Sequence, residues 1–336
     1  MDKGVRIVWK ERERAALEEF VPVCPKENEA RIRITTTLIS SGTEKAQLRG
    51  GPNTFDRYPQ YPGYSGVGVI EETGSKVSKF KQGDRVFVSY GGHASHSIVN
   101  ENRLVMIPDA VSDEEACFTR IVSFPLLALR RSRLEMGESV VVIGLGMLGL
   151  FGVQLARLAG GTPVIAIGNR DIRREKAALF GADHVFATET ENLKDRIYEL
   201  TKVTGDGGAD VVLETSGSVK GIVDGIKLCA KGGRFLVNGC NRIMDQPVDF
   251  YRYVHGKGVS IIGAHDNTHP KADSSPGNWT ENRDYRAILA WMADGRINAK
   301  DMIGEVAKYS EAEKVYERLL TDREFPLGVL FDWRDL

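Results

Sequence analysis

A chain of 336 residues with a formal net charge of -1, 42% hydrophobic and 27% charged side chains, carries enough apolar material for two buried cores. Its balance of 45 basic against 46 acidic residues leaves no electrostatic footprint for nucleic acid or an anionic membrane surface. The start, MDKGVRIVWKERER, is charged where a secretory signal needs an apolar stretch, and Cys24, Cys117, Cys229 and Cys240 form no CxxC pair. A cytoplasmic protein is expected, without a disulfide framework or a four-cysteine zinc lobe, and with each cysteine a small core residue.

The first third reads as β-rich. Residues 5–9, 30–39, 66–71, 85–89 and 96–99 are short β-branched or aromatic runs separated by glycine turns at Gly74 and Gly83-Asp84, the pattern of a small barrel or sandwich. Ser112 and Glu115 have capping-box spacing and open a helix, and helical periodicity resumes over 121–133.

Residues 139–159, SVVVIGLGMLGLFGVQLARLA, then read as strand, tight turn and helix. Gly144, Gly146 and Gly149 stand in GxGxxG spacing. The first permits the turn, the second lets backbone approach a pyrophosphate, and the third lets helix and strand lie close. Amide groups at the helix start, at Met147 and Leu148, face the phosphates. An uncharged membrane helix is the competing reading of this stretch, but the glycines, Gln154 and Arg157 oppose it. A purely structural glycine turn is opposed by the pattern of the chain beyond it. Strands at 162–167, 209–214 and 233–238 alternate with helical stretches, which makes a βαβ series and a parallel sheet. Ser216 and Gly239, beyond the last two of these strands, join the cofactor candidates.

The end of the second strand addresses which dinucleotide. An NAD site usually carries a carboxylate there for the adenine ribose 2′-hydroxyl. This chain has Gly168, Asn169 and Arg170, with Arg173 and Arg174 behind them. Glycine removes repulsion of a 2′-phosphate and Arg170 offers it a donor fork, so NADP is expected over NAD. The alternative makes Asp171 the acid, displaced by three residues. Further on, 258–264 reads as a strand, 265–278 as a polar surface loop, 282–295 and 310–320 as amphipathic helices, and 328–331 as a closing strand.

Taken together, Ser41-Gly42-Thr43-Glu44, Pro62-Gly63-Tyr64-Ser65-Gly66-Val67-Gly68, Phe80-Lys81-Gln82-Gly83-Asp84-Arg85-Val86, Ile107-Pro108-Asp109 and the GLGMLG turn resemble the medium-chain dehydrogenases/reductases of alcohol and polyol dehydrogenase type. The SGTEK and YPxYPGY phrasing is similar to the subgroup holding bacteriochlorophyllide dehydrogenases and sugar or polyol dehydrogenases. The resemblance implies an α/β chain with a GroES-like β-rich catalytic domain from residues 1–120, rejoined by 263–336, and a doubly wound Rossmann sheet over 121–262. It also implies a cleft between them for nicotinamide and substrate, and homodimers or homotetramers joined through the strand at 260–264.

This chain departs from zinc-dependent members at each ligand. Ser41 replaces a cysteine, Tyr64 and Ser65 replace a histidine and glutamate, and Arg120 puts a cation near the third position. Hydroxyls are poor zinc donors, so no metal is expected. A relocated site from His93, His96 and Glu44 has no spacing that demands a metal.

Another group must then stabilise the alkoxide or enolate. Tyr64 is the leading candidate, and the competing reading makes it a half-buried aromatic capping the barrel. Thr43 matches the family's proton-relay hydroxyl, Glu44 and Lys45 are placed to set the phenol's acidity, and His93 follows two glycines near a substrate-facing loop. The expected activity is NADP(H)-dependent interconversion of a secondary alcohol and a ketone on a sugar, polyol or cyclitol. The alternatives are reduction of a quinone or enone double bond, and an NADPH-sensing protein without turnover. The expected partner is a small-molecule substrate.

Overall fold

β1 (Gly4–Glu11) and β2 (Arg14–Phe20) form an antiparallel hairpin whose turn holds Glu13 at φ 59°. The structure is a computed structural model describing residues 3–203 and 205–336. β2, RAALEEF, is built of helix formers, and pairing with β1 overrides that preference. Next come β3 (Glu29–Leu38), α1 (Ser41–Leu48), β4 (Ser65–Thr73), β5 (Arg85–Ser89), β6 (His96–Asn100) and β7 (Leu104–Met106). β3 organises this region. It pairs with β4 along its length, while its other edge is shared by β6 at residues 29–33 and by the last strand of the chain at 36–38. α2 (Asp113–Ala116) carries the expected Ser112/Glu115 capping box and leads into α3 (Thr119–Ser132).

The parallel region comprises β8 (Val140–Ile143), α4 (Met147–Leu158), β9 (Val164–Gly168), α5 (Asp171–Leu179), β10 (His184–Ala187), α6 (Leu193–Thr201), β11 (Ala209–Glu214), α7 (Val219–Leu228), β12 (Cys229–Val237) and β13 (Ser260–Gly263). The six strands are parallel in the order β10-β9-β8-β11-β12-β13. Strand order reverses between β8 and β11, the switch point at which such sheets bind ligands beyond their carboxyl ends. The chain closes with α8 (Glu281–Ala293), β14 (Ile303–Lys308), α9 (Ala312–Thr321) and β15 (Gly328–Asp332). β14 and β15 complete a seven-stranded sheet with β3, β4, β5 and β7, with β6 attached to β3.

The described residues up to Ile121 and Tyr285–Leu336 make one compact unit, and Val122–Asp284 the other. In the first, Trp9, Tyr316, Phe331 and Trp333 anchor a core with Ile32 and Ile34. In the second, Val141, Ile165, Val212 and Phe235 pack from the sheet against Ile197 and Ile226. The second boundary falls at residue 284 rather than 262. Side-chain bonds explain the shift: Asn238 Nδ2 donates to the Ala264 carbonyl (3.3 Å), Arg131 to those of Gly263 and Thr268, and Arg130 Nε to Asp284 (2.8 Å).

Two further expectations are corrected. The 265–278 stretch is not wholly a surface loop, because His269 is buried with Nδ1 3.0 Å from the Trp279 carbonyl. Cys117 and Cys229 are buried, but Cys24 and Cys240 are exposed. Among the described residues no helix is long and apolar enough to cross a membrane.

Candidate active site

At the end of β8 the chain turns on Gly144, with φ 90°. A Cβ there would lie 2.6 Å from Ser216 N, so turn and neighbouring loop touch through backbone. Thr215 Oγ1 clamps the turn by donating to the Gly144 carbonyl at 2.7 Å. A Cβ on Gly149 would fall 1.8 Å from that same carbonyl oxygen, which explains the third glycine. Gly146 differs, since nothing lies within 4 Å of where its Cβ would point. Met147 and Leu148 begin α4, and their amide hydrogens have no partner one turn earlier in the helix. An open glycine ahead of unpartnered amides fits a pyrophosphate.

β9 ends on Gly168, where a Cβ would come 2.7 Å from Leu145. Packing against the glycine turn therefore demands this glycine as well. Asn169 is exposed, and Arg170, half-buried, occupies the N-cap position of α5 with Arg173 one turn on. Arg174 donates to the Gly168 carbonyl at 2.9 Å and pairs with Asp171, the acid of the alternative reading. Ser216 is exposed past the end of β11, while Gly239 is buried against Gly217 N.

In the other unit, α1 and the start of β4 bring Tyr64, Ser40 and Thr43 together. The Tyr64 phenol donates to Ser40 Oγ and is also hydrogen-bonded to the Thr43 side chain. Burial, first, pushes the phenol well above the ordinary tyrosine range, and the Glu44 charge adds to the rise. The Ser40 and Thr43 hydroxyls and Arg120 pull the other way. Glu44 thus makes the phenol less acidic. Lys45 is half-buried on the same helix.

His93 is a correction to the sequence reading. It is 1% exposed, with Nδ1 2.7 Å from Thr37 Oγ1 and Nε2 3.3 Å from Glu44 Oε2. Trp333 Nε1 donates to the same Thr37 Oγ1 at 3.0 Å, and the Glu44 carboxylate, which only accepts, faces Nε2. Glu44 is buried too, accepting from Ser40 N (2.8 Å) and Tyr316 Oη (2.5 Å). Both groups are buried, and their polar atoms are taken up by one another and by Thr37, Ser40 and Tyr316.

Arg120, also 1% exposed, sits among tyrosines. Nη1 donates to Tyr285 Oη at 2.5 Å and Nη2 to Tyr90 Oη, and the guanidinium carbon is 4.0 Å from the Tyr90 ring and 5.3 Å from that of Tyr64. Zinc does not fit this donor set. Tyr64 is engaged by hydroxyls, Ser65 Oγ donates to the Cys117 carbonyl at 2.6 Å, and a cation is already present. The relocated set fails as well, because His96 pairs with Glu71 at 3.5 Å, away from Glu44 and His93. Sequence reasoning misses Ser40, Thr37, Tyr90, Tyr285 and Tyr316. Only Ser40 has a local signal, as a serine directly before a helix start.

A six-stranded parallel sheet with a dinucleotide turn, joined to a β-rich unit bearing a hydroxyl cluster, defines a nicotinamide-type oxidoreductase class. The comparisons agree. The model described as alcohol dehydrogenase GroES-like domain matches residues 26–109, and that described as zinc-binding dehydrogenase matches 148–275. A sorbitol dehydrogenase of Halalkalibacterium halodurans is 29% identical over 231 residues, spanning 68% of this chain and 62% of that protein. A D-guloside 3-dehydrogenase of Shigella flexneri is 25% identical over 345 residues, covering 94% of this chain and 97% of that protein. A crystal structure of a zinc-binding dehydrogenase from Sinorhizobium meliloti bound to NADP has a TM-score of 0.83 at 20% identity, covering 99% of this chain and 100% of that one. This chain belongs to the medium-chain dehydrogenase/reductase superfamily, in its alcohol and polyol dehydrogenase-like branch.

Proposed function

We propose that this chain is an NADP(H)-dependent oxidoreductase that interconverts a secondary alcohol and a ketone on a sugar, polyol or cyclitol, without catalytic zinc. The observation that carries the reading is the Tyr64 phenol, held by Ser40 and Thr43 where zinc-dependent relatives keep a ligand. The names of the relatives, sorbitol dehydrogenase and D-guloside 3-dehydrogenase, support a hydroxylated carbohydrate substrate. Arg170 and Arg173 beside Gly168 support a 2′-phosphate, and the Sinorhizobium relative binds NADP. The expected form is a cytoplasmic homodimer or homotetramer.

Bound nicotinamide supplies or accepts the hydride. Tyr64, kept protonated by burial, donates its phenolic hydrogen to the oxygen that gains charge as a ketone is reduced. The phenolate left behind is stabilised by the Ser40 and Thr43 hydroxyls turning to donate to it, and it regains its proton from solvent once product leaves. Glu44 and His93 hold the backbone that carries Ser40 and Thr43.

Turnover of a panel of sugars and polyols with NADP and with NAD, before and after chelation, tests this. NADP-coupled oxidation that survives chelation is expected. Activity confined to quinones or enones, tight NADPH binding with no turnover, or loss of activity on removing stoichiometric zinc would overturn it.

A further inference from the structure

Glu214 is the last residue of β11, 0% exposed, and lies next to the loop that touches the glycine turn. A carboxylate is costly to bury, and the partners of this one are backbone amides and a hydroxyl. Oε1 accepts from Ser216 N (2.8 Å), Gly217 N (3.1 Å) and Ser216 Oγ, while Oε2 is 3.3 Å from Gly217 N. Ser216 Oγ in turn meets Ser218 Oγ at 2.9 Å, and Ser218 caps α7 by accepting from Gly221 N. The other neighbours are Gly239 and Gly221, whose Cβ positions would fall 2.9 Å from the two carboxylate oxygens. The groups bonded to the carboxylate, from Ser216 and Gly217, and the adjoining Gly221 and Gly239 are uncharged.

We propose that Glu214 is a positioning residue of the cofactor site: its carboxylate fixes the Ser216-Gly217 backbone, and through it the Gly144 turn that cradles the dinucleotide. This rests on the reading of that turn as a dinucleotide site. The contact that transmits the effect is direct, since Ser216 N would lie 2.6 Å from a Cβ on Gly144. Two strand ends, β8 and β11, thus meet through Ser216, and Glu214 sets where Ser216 sits. Burial pushes the Glu214 carboxyl above the ordinary carboxylate range, against the pull of Ser216 and Gly217. The ionised form, which makes charge-assisted bonds, is therefore lost as pH falls through that raised value, and cofactor affinity falls with it.

The test measures NADPH and NADH dissociation constants from pH 4.5 to 8, with melting temperatures, for the wild type, Glu214→Leu and Glu214→Gln. Leucine removes the acceptor, and the loss of several hydrogen bonds makes cofactor binding weaker by about tenfold or more, raising the cofactor KM with kcat at saturation little changed. Glutamine keeps an acceptor at Oε1 without the charge. With NADH, which has no 2′-phosphate to titrate, it should bind about threefold more weakly at pH 8 and show no pH dependence, with the wild type descending to its value at low pH. Wild-type affinity in Glu214→Leu, even with a lowered melting temperature, would overturn the proposal. If the leucine variant does not fold, a Glu214→Gln profile that parallels the wild type would overturn it instead. A wild type that binds neither dinucleotide defeats the underlying dinucleotide reading, an outcome distinct from both.

Discussion

The His93 imidazole lies 3.3 Å from the Glu44 carboxylate, and neither group is open to solvent. A histidine after two glycines looks like a substrate-facing acid, but with both ring nitrogens engaged it is a brace for a buried charge. His93→Ala should therefore act on stability. Removing a partner from a buried ion costs about 3 kcal/mol or more, or roughly 6 °C or more in melting temperature. Calorimetry beside kcat checks it, and a variant that melts normally but has lost turnover would return His93 to the chemistry.

Tyr64→Phe should do the reverse. The ring and its packing stay, so stability changes by about 1–3 kcal/mol for the lost hydrogen bonds to Ser40 and Thr43, while ketone reduction slows by about 10² to 10⁴. The acid must be protonated to act, and burial has raised its pKa, so activity is lost only as pH rises above the ordinary tyrosine range. A kcat profile flat from pH 6 to about 10 is expected, and a fall set by a phenol ionising below that range would contradict the assignment.

The glycines of the turn separate packing from binding. Gly149→Ala forces a methyl onto the Gly144 carbonyl and should destabilise by about 3 kcal/mol or more. Gly146→Ala meets nothing within 4 Å and has φ -79°, so the fold should tolerate it. The same methyl enters the space left for a pyrophosphate, and cofactor should bind about tenfold more weakly or worse. Melting curves with and without NADPH distinguish the two. Equal behaviour of both variants would remove the case for Gly146 as a cofactor contact.

Arg170→Ala tests the 2′-phosphate site. A charge-assisted hydrogen bond is worth about 1.5–3 kcal/mol, so NADP should weaken roughly tenfold to a hundredfold and NAD barely change. Titration of both gives the answer, and a wild type that prefers NAD would favour the Asp171 alternative.

The parallel sheet was legible because its signals are local. The run VVVI, three glycines at fixed spacing and the 3.6-residue period of α4 each act within a few residues, and β8 and β11 fall on the residues expected. β2 was not legible, because a sequence of helix formers becomes a strand only when β1 is there to pair with it. α1 was hidden too. Only Glu44 and Leu48 of it are buried, and Glu44, a charged residue that no hydrophobic pattern marks, is held by Tyr316 from 272 residues away. The candidate site divides along the same line. The glycine turn stands out from its spacing, and Tyr64 and Thr43 from the family resemblance, whereas Ser40 as the phenol's acceptor, His93 as a brace and Glu214 beneath Ser216 do not. Whether a histidine or carboxylate does chemistry or holds structure depends on which donors surround it and whether water reaches it. Those are properties of the packed chain, set by contacts between segments that sequence distance leaves unrelated.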